Sequence, residues 1–219
     1  MNAMDKNDFD ITNLGQVRRV IKAAAPRIVI NCAAYTDVKG AETEQELALK
    51  LNAVGPENLA AACEESGAHL IHISSDYVFG DNSCAPILPN AKRMPLNFYG
   101  SSKLEGERAI ENTFDNFTII RTSWLFGANG EGFPTAIRAA GSTEDTLDVV
   151  SDQTGGPTSA IALSKFCLIV AKHINSLDIS GAYHYCGFPY VSWFEFANPI
   201  ACHFQVIFQT TASAVNEIE

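Results

Sequence analysis

What the chain lacks narrows its function first. Nowhere in its 219 residues do about 18 apolar residues run together, and the opening MNAMDKNDFD holds neither a basic nor an apolar segment. A membrane span and a secretory leader are therefore not expected. The six cysteines, Cys32, Cys63, Cys84, Cys167, Cys186 and Cys202, form no C-x-x-C pair, and several lie in apolar runs where a thiol acts as a small hydrophobe. No zinc or other metal site is expected. Cations are scarce, 15 Lys and Arg against 25 Asp and Glu, for a net charge of −10. Coating a nucleic acid takes the opposite balance, because bound cations must displace the counterions of the phosphates. The expectation is a cytoplasmic protein with neither a nucleic-acid nor a membrane partner.

What is present is enough to fold. Apolar residues make up 47% and charged residues 18% of the chain, which fits a globular core and not a disordered chain. From Thr12, residues Leu14, Val17, Ile21 and Ala24 recur at helical spacing, with Thr12 or Asn13 as the cap and Pro26 as the stop. The β-branched run 27–31 reads as a strand buried on both faces. A helical stretch follows over 44–66, interrupted near Gly55 and Pro56 and ended by Gly67. A strand over 69–73, a helix over 96–112, a strand over 117–122 and a helix over 133–140 continue the alternation. The fold class expected is α/β, a doubly wound parallel sheet of Rossmann-like type. The expected division is 1–145 for the partial dinucleotide-binding domain and 146–219 for a small, partly interleaved substrate lobe. That lobe would hold a loop over 152–157, a helix over 160–174, a strand over 182–186 and a helix from Ser192.

Chemistry enters with Tyr99 and Lys103, a Y-x-x-x-K pair that a helix places on one face, one turn apart. An ammonium beside a phenol favours the phenolate and brings its pKa toward the working range, so such a tyrosine can hand a proton to a carbonyl oxygen. Alone the pair is a weak signal. Upstream, the strand ending Ile73-Ser74-Ser75-Asp76 delivers hydroxyls and a carboxylate to its C-terminal end, where open parallel sheets bind ligands. There the Ser75 hydroxyl can stabilise charge developing on the same oxygen. The strand that runs into Cys32-Ala33-Ala34-Tyr35-Thr36 ends in small residues that admit a flat ligand, and the strand before Trp124 delivers an indole whose face can stack on a base or sugar. His69 and His72 read as packing residues, and Glu42, Glu44 and Glu46 as a solvated helix start.

Six blocks in order, DFDIT at 8–12, NCAAYTDV at 31–38, SSDYVFG at 74–80, NFYGSSKLEGE at 97–107, RTSWLFG at 121–127 and DQTGGPT at 152–158, resemble the dTDP-4-dehydrorhamnose reductase family of extended short-chain dehydrogenases. The resemblance implies NADPH or NADH as cofactor and reduction of the 4-keto group of a nucleotide-linked 6-deoxy sugar. It implies Tyr99 as proton donor, Lys103 as its neighbour and holder of the nicotinamide ribose, and Ser75 in place of the family's usual threonine. Asp76 and Trp124 would join Ser75 at the sugar nucleotide. Asp10 and Ile11 would lie at the adenine end of the cofactor, Ala34, Tyr35 and Thr36 along its path, and Asp5 at the acidic close of the second strand. Asp10 has an equal claim to be a plain turn residue, and Trp124 also reads as core. A homodimer stays open.

One expected part is not found. A dinucleotide fold opens with a strand, a glycine-rich turn and a helix N-terminus that meets the pyrophosphate. No G-x-G-x-x-G occurs in a strand-to-helix setting, and the glycine-rich stretch 127–132 carries an acidic side chain. The expectation is a chain without the first βαβ unit, a fragment or one completed from elsewhere, with no family counterpart for 200–219. Two other readings stay open: a non-catalytic binding or regulatory subunit, similar to that of methionine adenosyltransferase, and a related sugar-nucleotide epimerase or dehydratase.

Overall fold

A computed structural model of the chain describes residues 2–80, 86–127, 132–141, 146–201 and 207–211. Cys84, Cys202, most of the glycine-rich stretch 127–132 and residues 212–219 lie outside the described residues. In chain order the elements are α1 (Leu14–Ala24), β1 (Ile28–Asn31), α2 (Gly40–Thr43), α3 (Gln45–Leu49), a π-helical turn (Lys50–Val54), α4 (Gly55–Ser66), β2 (His69–Ser75), α5 (Phe98–Thr113) and β3 (Phe117–Thr122). There follow β4 (Leu125–Phe126), α6 (Phe133–Gly141), β5 (Thr146–Val150), β6 (Thr154–Gly155), β7 (Thr158–Ser159), α7 (Ala160–His173), β8 (Gly181–His184), β9 (Val191–Ser192), α8 (Trp193–Ala201) and β10 (Ile207–Thr211).

The chain divides into two compact units, 1–121 with 167–184 and 122–166 with 185–219. The division falls at Thr122, not at the expected residue 145, and the chain returns to the first unit through the second half of α7 to add β8 beside β3.

In the first unit four strands lie in the order β1-β2-β3-β8, with β1 parallel to β2 and β3 parallel to β8. Strand order follows chain order, so each crossover steps the same way. This parallel α/β sheet is the expected Rossmann-like one. Val17 and Ile21 of α1, Leu59 and Cys63 of α4, Leu70 of β2, Ile110 of α5 and Ile119 of β3 share one buried cluster. Asn13 caps α1 by accepting from the Gln16 N–H at 3.0 Å, and Gly67 ends α4 in the left-handed conformation with φ 71°. The strand expected to be buried on both faces departs from that: Ile28, Val29 and Ile30 of β1 are only half-buried. Among the described residues β1 is an edge strand, so its outer flank has no neighbour to cover it. The break in the 44–66 helical stretch precedes Gly55 and takes the form of the π-helical turn.

In the second unit Leu147, Val149 and Ala197 form the buried centre, with Phe133, Ile137 and Trp193 packed against it. The expected loop 152–157 contains β6, which pairs antiparallel with β9, and β7 beyond it pairs with β4. Residues 207–211, which matched nothing in the sequence reading, form β10 in parallel with β5.

Candidate active site

Helix α5 starts where Asn97 caps it, its Oδ1 accepting from the Gly100 N–H at 2.8 Å. The Tyr99 and Lys103 side chains both reach the end of β2: the Tyr99 phenol lies near enough to the Ser75 hydroxyl for Ser75 to lower its pKa, and Lys103 Nζ donates to the Ile73 carbonyl at 2.9 Å. The helix can come this close to the turn after β2 because Gly100 has no side chain, a Cβ there striking the Tyr77 carbonyl. The Ser75 hydroxyl also donates to Asp76 Oδ1 at 3.1 Å and accepts from the Tyr77 N–H at 3.3 Å.

Burial pushes the Tyr99 phenol up to about 12 against the lowering bond from Ser75, with the nearby Asp76 carboxylate and Tyr77 adding to the rise. Burial likewise raises Asp76 to about 6, opposed by Ser75 and two backbone N–H groups. The expectation that Lys103 lowers the phenol's pKa is not met: its ammonium bonds the Ile73 carbonyl and is itself pushed down to about 8 by burial, against the pull of Glu107 and Cys32.

The strand-end loop after β1 is pinned from two sides. Asn31 Oδ1 accepts from the Ala33 N–H at 3.0 Å, which leaves its Nδ2 to donate to His72 Nδ1 at 3.0 Å and places the proton of neutral His72 on Nε2. Burial, then the Lys103 charge, hold His72 well below its usual pKa. Asn52, fully buried on the π-helical turn, accepts from the Tyr35 N–H at 2.8 Å and donates to the Tyr35 carbonyl at 3.0 Å and to Ser102 Oγ at 2.9 Å. Ser102 in turn donates to the Tyr99 carbonyl at 2.7 Å, so the loop is tied to the turn of α5 that carries the tyrosine. Sequence reading missed Asn52; an amide inside an otherwise apolar helical run was the signal.

The remaining expected residues are placed as follows. Ala34 is half-buried and Thr36 exposed, while Tyr35 is buried and gives its hydroxyl to Glu44 at 2.6 Å, a bond that lifts the phenol to about 12. Glu44 is thus engaged and not merely solvated, and Glu42 accepts from the Phe98 N–H at 2.8 Å. Asp10 forms a local turn, its two oxygens accepting from the Thr12 N–H and hydroxyl at 2.8 and 2.9 Å. Asp5 does the same with the Asn7 N–H at 2.7 Å. The Ile11 side chain is core, packed where Gly55 leaves room for it. His69 bonds Asn116 at 2.6 Å and Thr118 at 2.8 Å, a packing role.

Beneath the tyrosine helix lies a second feature the sequence reading missed. Glu107, one turn past Lys103 and fully buried, receives the Arg121 fork at 2.9 and 2.8 Å and Arg93 at 2.9 Å. Arg93 goes on to Glu111 at 2.8 and 2.9 Å. Burial alone would raise Glu107, but the two guanidiniums hold it below the usual carboxylate range. The network fixes α5 against β3 from below.

In the second unit the Trp124 indole stacks on Trp193, which covers one of its two faces.

The donor set of the first unit suits a nicotinamide dinucleotide. The Lys103 ammonium has three protons and, among the described residues, gives one of them to Ile73, which leaves donors for a ribose diol. Ala33 and Ala34 leave the neighbouring strand end free of bulk.

A parallel sheet whose strand end carries a serine hydroxyl beside a tyrosine one turn from a buried lysine defines a Rossmann-like α/β protein of the dehydrogenase and reductase type. More narrowly, the chain belongs to the family of the RmlD substrate binding domain, whose model matches residues 1–218. It is 41% identical over 176 residues to a dTDP-4-dehydrorhamnose reductase of Mycobacterium tuberculosis, covering 78% of this chain and 57% of that protein. With the Escherichia coli dTDP-4-dehydrorhamnose reductase it shares 36% identity over 190 residues, 86% of this chain and 63% of the other. The chain thus spans less than two thirds of the length of these relatives. Among solved structures, a dTDP-4-dehydrorhamnose reductase of Bacillus anthracis in complex with NADP superimposes with a TM-score of 0.88 at 36% identity, covering 96% of this chain and 75% of that one. An ortholog from Clostridium acetobutylicum gives 0.90 at 37%, covering 95% and 74%.

Proposed function

We propose that the protein reduces the 4-keto group of a nucleotide-linked 6-deoxy sugar, dTDP-4-dehydrorhamnose to dTDP-rhamnose, at the expense of NADPH. The observation that carries this reading is the meeting of Tyr99 and Ser75 at the end of β2, with the Lys103 ammonium two residues back along the same strand. Similarity to reductases of that name, one of them bound to NADP, supports the substrate and the cofactor.

Lys103 and Tyr99 would hold the nicotinamide ribose, and the backbone of Ala34, Tyr35 and Thr36 would line the cofactor's path. Asp10 and Ile11 would lie at the adenine end of the cofactor, and Asp5 at the acidic close of the strand before them. Ser75, Asp76 and Trp124 would meet the sugar nucleotide. The reduced nicotinamide, when bound, supplies a hydride to the carbonyl carbon. The carbonyl oxygen takes the proton of Tyr99 Oη, so ketone becomes alcohol and phenol becomes phenolate. A phenol near pKa 12 is fully protonated at neutral pH and thus loaded as the acid. The Ser75 hydroxyl would donate to the same carbonyl oxygen and steady the charge that develops on it. Solvent then restores the proton.

The test is NADPH oxidation by the expressed gene product with dTDP-4-dehydrorhamnose, beside a Tyr99→Phe variant. Turnover lost with the hydroxyl supports the assignment; an unchanged rate in the variant removes Tyr99 from it. NADPH binding with no turnover of any sugar nucleotide would instead point to a binding subunit.

A further inference from the structure

The chain has two tryptophans, and in the second unit they lie face to face, ring centroids 3.6 Å apart and planes 14° from parallel. Trp193 opens α8, and a capping box fixes its direction: Ser192 Oγ accepts from the Glu195 N–H at 3.1 Å, and the Glu195 carboxylate accepts from the Ser192 N–H at 2.7 Å. Its indole N–H goes to Gln153 Oε1 at 3.2 Å, and Phe133 packs on it at 4.5 Å.

Trp124 is held as firmly. Its φ of 46° lies in the left-handed region, which bulky residues seldom enter. Its carbonyl accepts from the Thr158 N–H at 3.1 Å, the preceding Ser123 hydroxyl bonds the Gly156 carbonyl at 3.1 Å, and the β4–β7 pairing begins at the next residue. A Cβ added at Gly155 would lie 2.7 Å from Cζ2 and 2.8 Å from Nε1 of Trp124, and closer still to Cε2 between them. Distances that differ so little place it above the ring and not beyond its rim. A parallel ring at 3.6 Å excludes backbone on its own side, so Gly155 sits over the opposite face. Both faces of Trp124 are covered, and its rim is what remains for a ligand.

We propose that Trp193 is a specificity-determining positioning residue: together with Gly155 it clamps the Trp124 indole so that only the rim is offered, and the contact reads the sugar of a sugar nucleotide and not the base. The inference rests on the reading of Trp124 as a substrate contact. Stacking a base takes an open aromatic face, which the clamp removes. The rim of an aromatic ring carries the positive edge of its quadrupole, which suits the oxygens of a sugar. Without Trp193 the indole is free to turn and the discrimination goes.

The experiment uses the full chain, with thymidine diphosphate and thymidine diphosphate glucose as probes in calorimetric titrations. Circular dichroism follows the exciton couplet of the stacked indoles, which reports this pair alone because the chain has no other tryptophan. Trp193→Leu is expected to abolish the couplet and weaken the sugar nucleotide roughly tenfold while leaving thymidine diphosphate unchanged, with Trp193→Phe retaining most of the affinity. Gly155→Ala, pressing on the other face, is expected to give the same selective loss, and it decides the matter should Trp193→Leu not fold. Loss of the couplet with sugar-nucleotide affinity intact, an equal loss for both probes, or no couplet in the wild type would overturn the clamp. Should Trp124→Phe bind the sugar nucleotide as well as wild type, or wild type bind neither probe, the substrate role of Trp124 falls and the inference with it. If Trp124→Phe weakens binding but the Trp193 and Gly155 variants do not, the inference alone falls.

Discussion

Lys103 Nζ lies 2.9 Å from the Ile73 carbonyl oxygen, a cation buried to 2% exposure and tied to the backbone of the strand that also presents Ser75. Burial lowers its pKa from 10.5 to about 8, against Glu107 and Cys32. Between those two pH values the unfolded chain holds more protons than the folded one, so this group makes stability rise with pH across that window and costs stability below it. Lys103→Met is therefore expected to raise stability at neutral pH by roughly 2 to 3 kcal/mol while losing NADPH affinity. Urea unfolding and cofactor titration check the two halves; a variant less stable than wild type at pH 7 would contradict the cost assigned to the buried ammonium.

Tyr99→Phe removes the acid and leaves the ring against Tyr77, 5.4 Å away edge to face. A fall in kcat of about 10²- to 10⁴-fold is expected, the usual contribution of a positioned acid. The melting temperature should barely move. Steady-state kinetics beside a thermal melt separate chemistry from folding.

Asp76 works in the opposite sense to a salt-bridged carboxylate. Its folded pKa is raised from 3.8 to about 6, mainly by burial, so the stability it contributes is present below 3.8 and lost as pH rises through 6. Asp76→Asn should then be more stable than wild type at pH 7 by roughly 1 to 2 kcal/mol, the difference fading toward pH 4. Denaturation measured at several pH values tests this, and a gap that grows on acidification would reverse the assignment.

Glu107, fully buried, is the carboxylate that the Arg93 and Arg121 guanidiniums share. Glu107→Gln strands the Arg121 charge and should destabilise by about 3 to 5 kcal/mol, read as a lower denaturation midpoint. A loss within error would mean the network is better solvated than its burial implies.

Gly106→Ala reverses an ordinary rule. Alanine in a helix normally gains about 1 kcal/mol over glycine, but here the new methyl would strike the Asn52 backbone carbonyl across the helix pair. The expected result is destabilisation of about 1 to 3 kcal/mol, as in other overpacked sites. An alanine variant more stable than wild type would show that α5 can move away from the π-helical turn.

The sequence made the helices and strands of the first unit legible because their apolar periods are unambiguous: Val17 and Ile21 face inward as their spacing demands, and the run 117–122 is buried throughout. Tyr99 and Lys103 were readable because one helical turn fixes their relation without reference to anything else. Its limit shows at β1, whose β-branched residues predicted burial on both faces, while among the described residues the strand has one neighbour and Ile28, Val29 and Ile30 are half-buried.

Local spacing by itself determined the element types and the shared face of the Tyr-Lys pair, and composition the acidic character of the chain. Only tertiary structure decided that Lys103 bonds a carbonyl and leaves the Tyr99 phenol high, that Asn52 ties the Tyr35 loop to α5, and that Trp124 meets Trp193 across 69 positions of sequence. The physical reason is that pKa and ring exposure depend on what surrounds a group in three dimensions, and those surroundings come from segments whose separation in the chain carries no periodic signal.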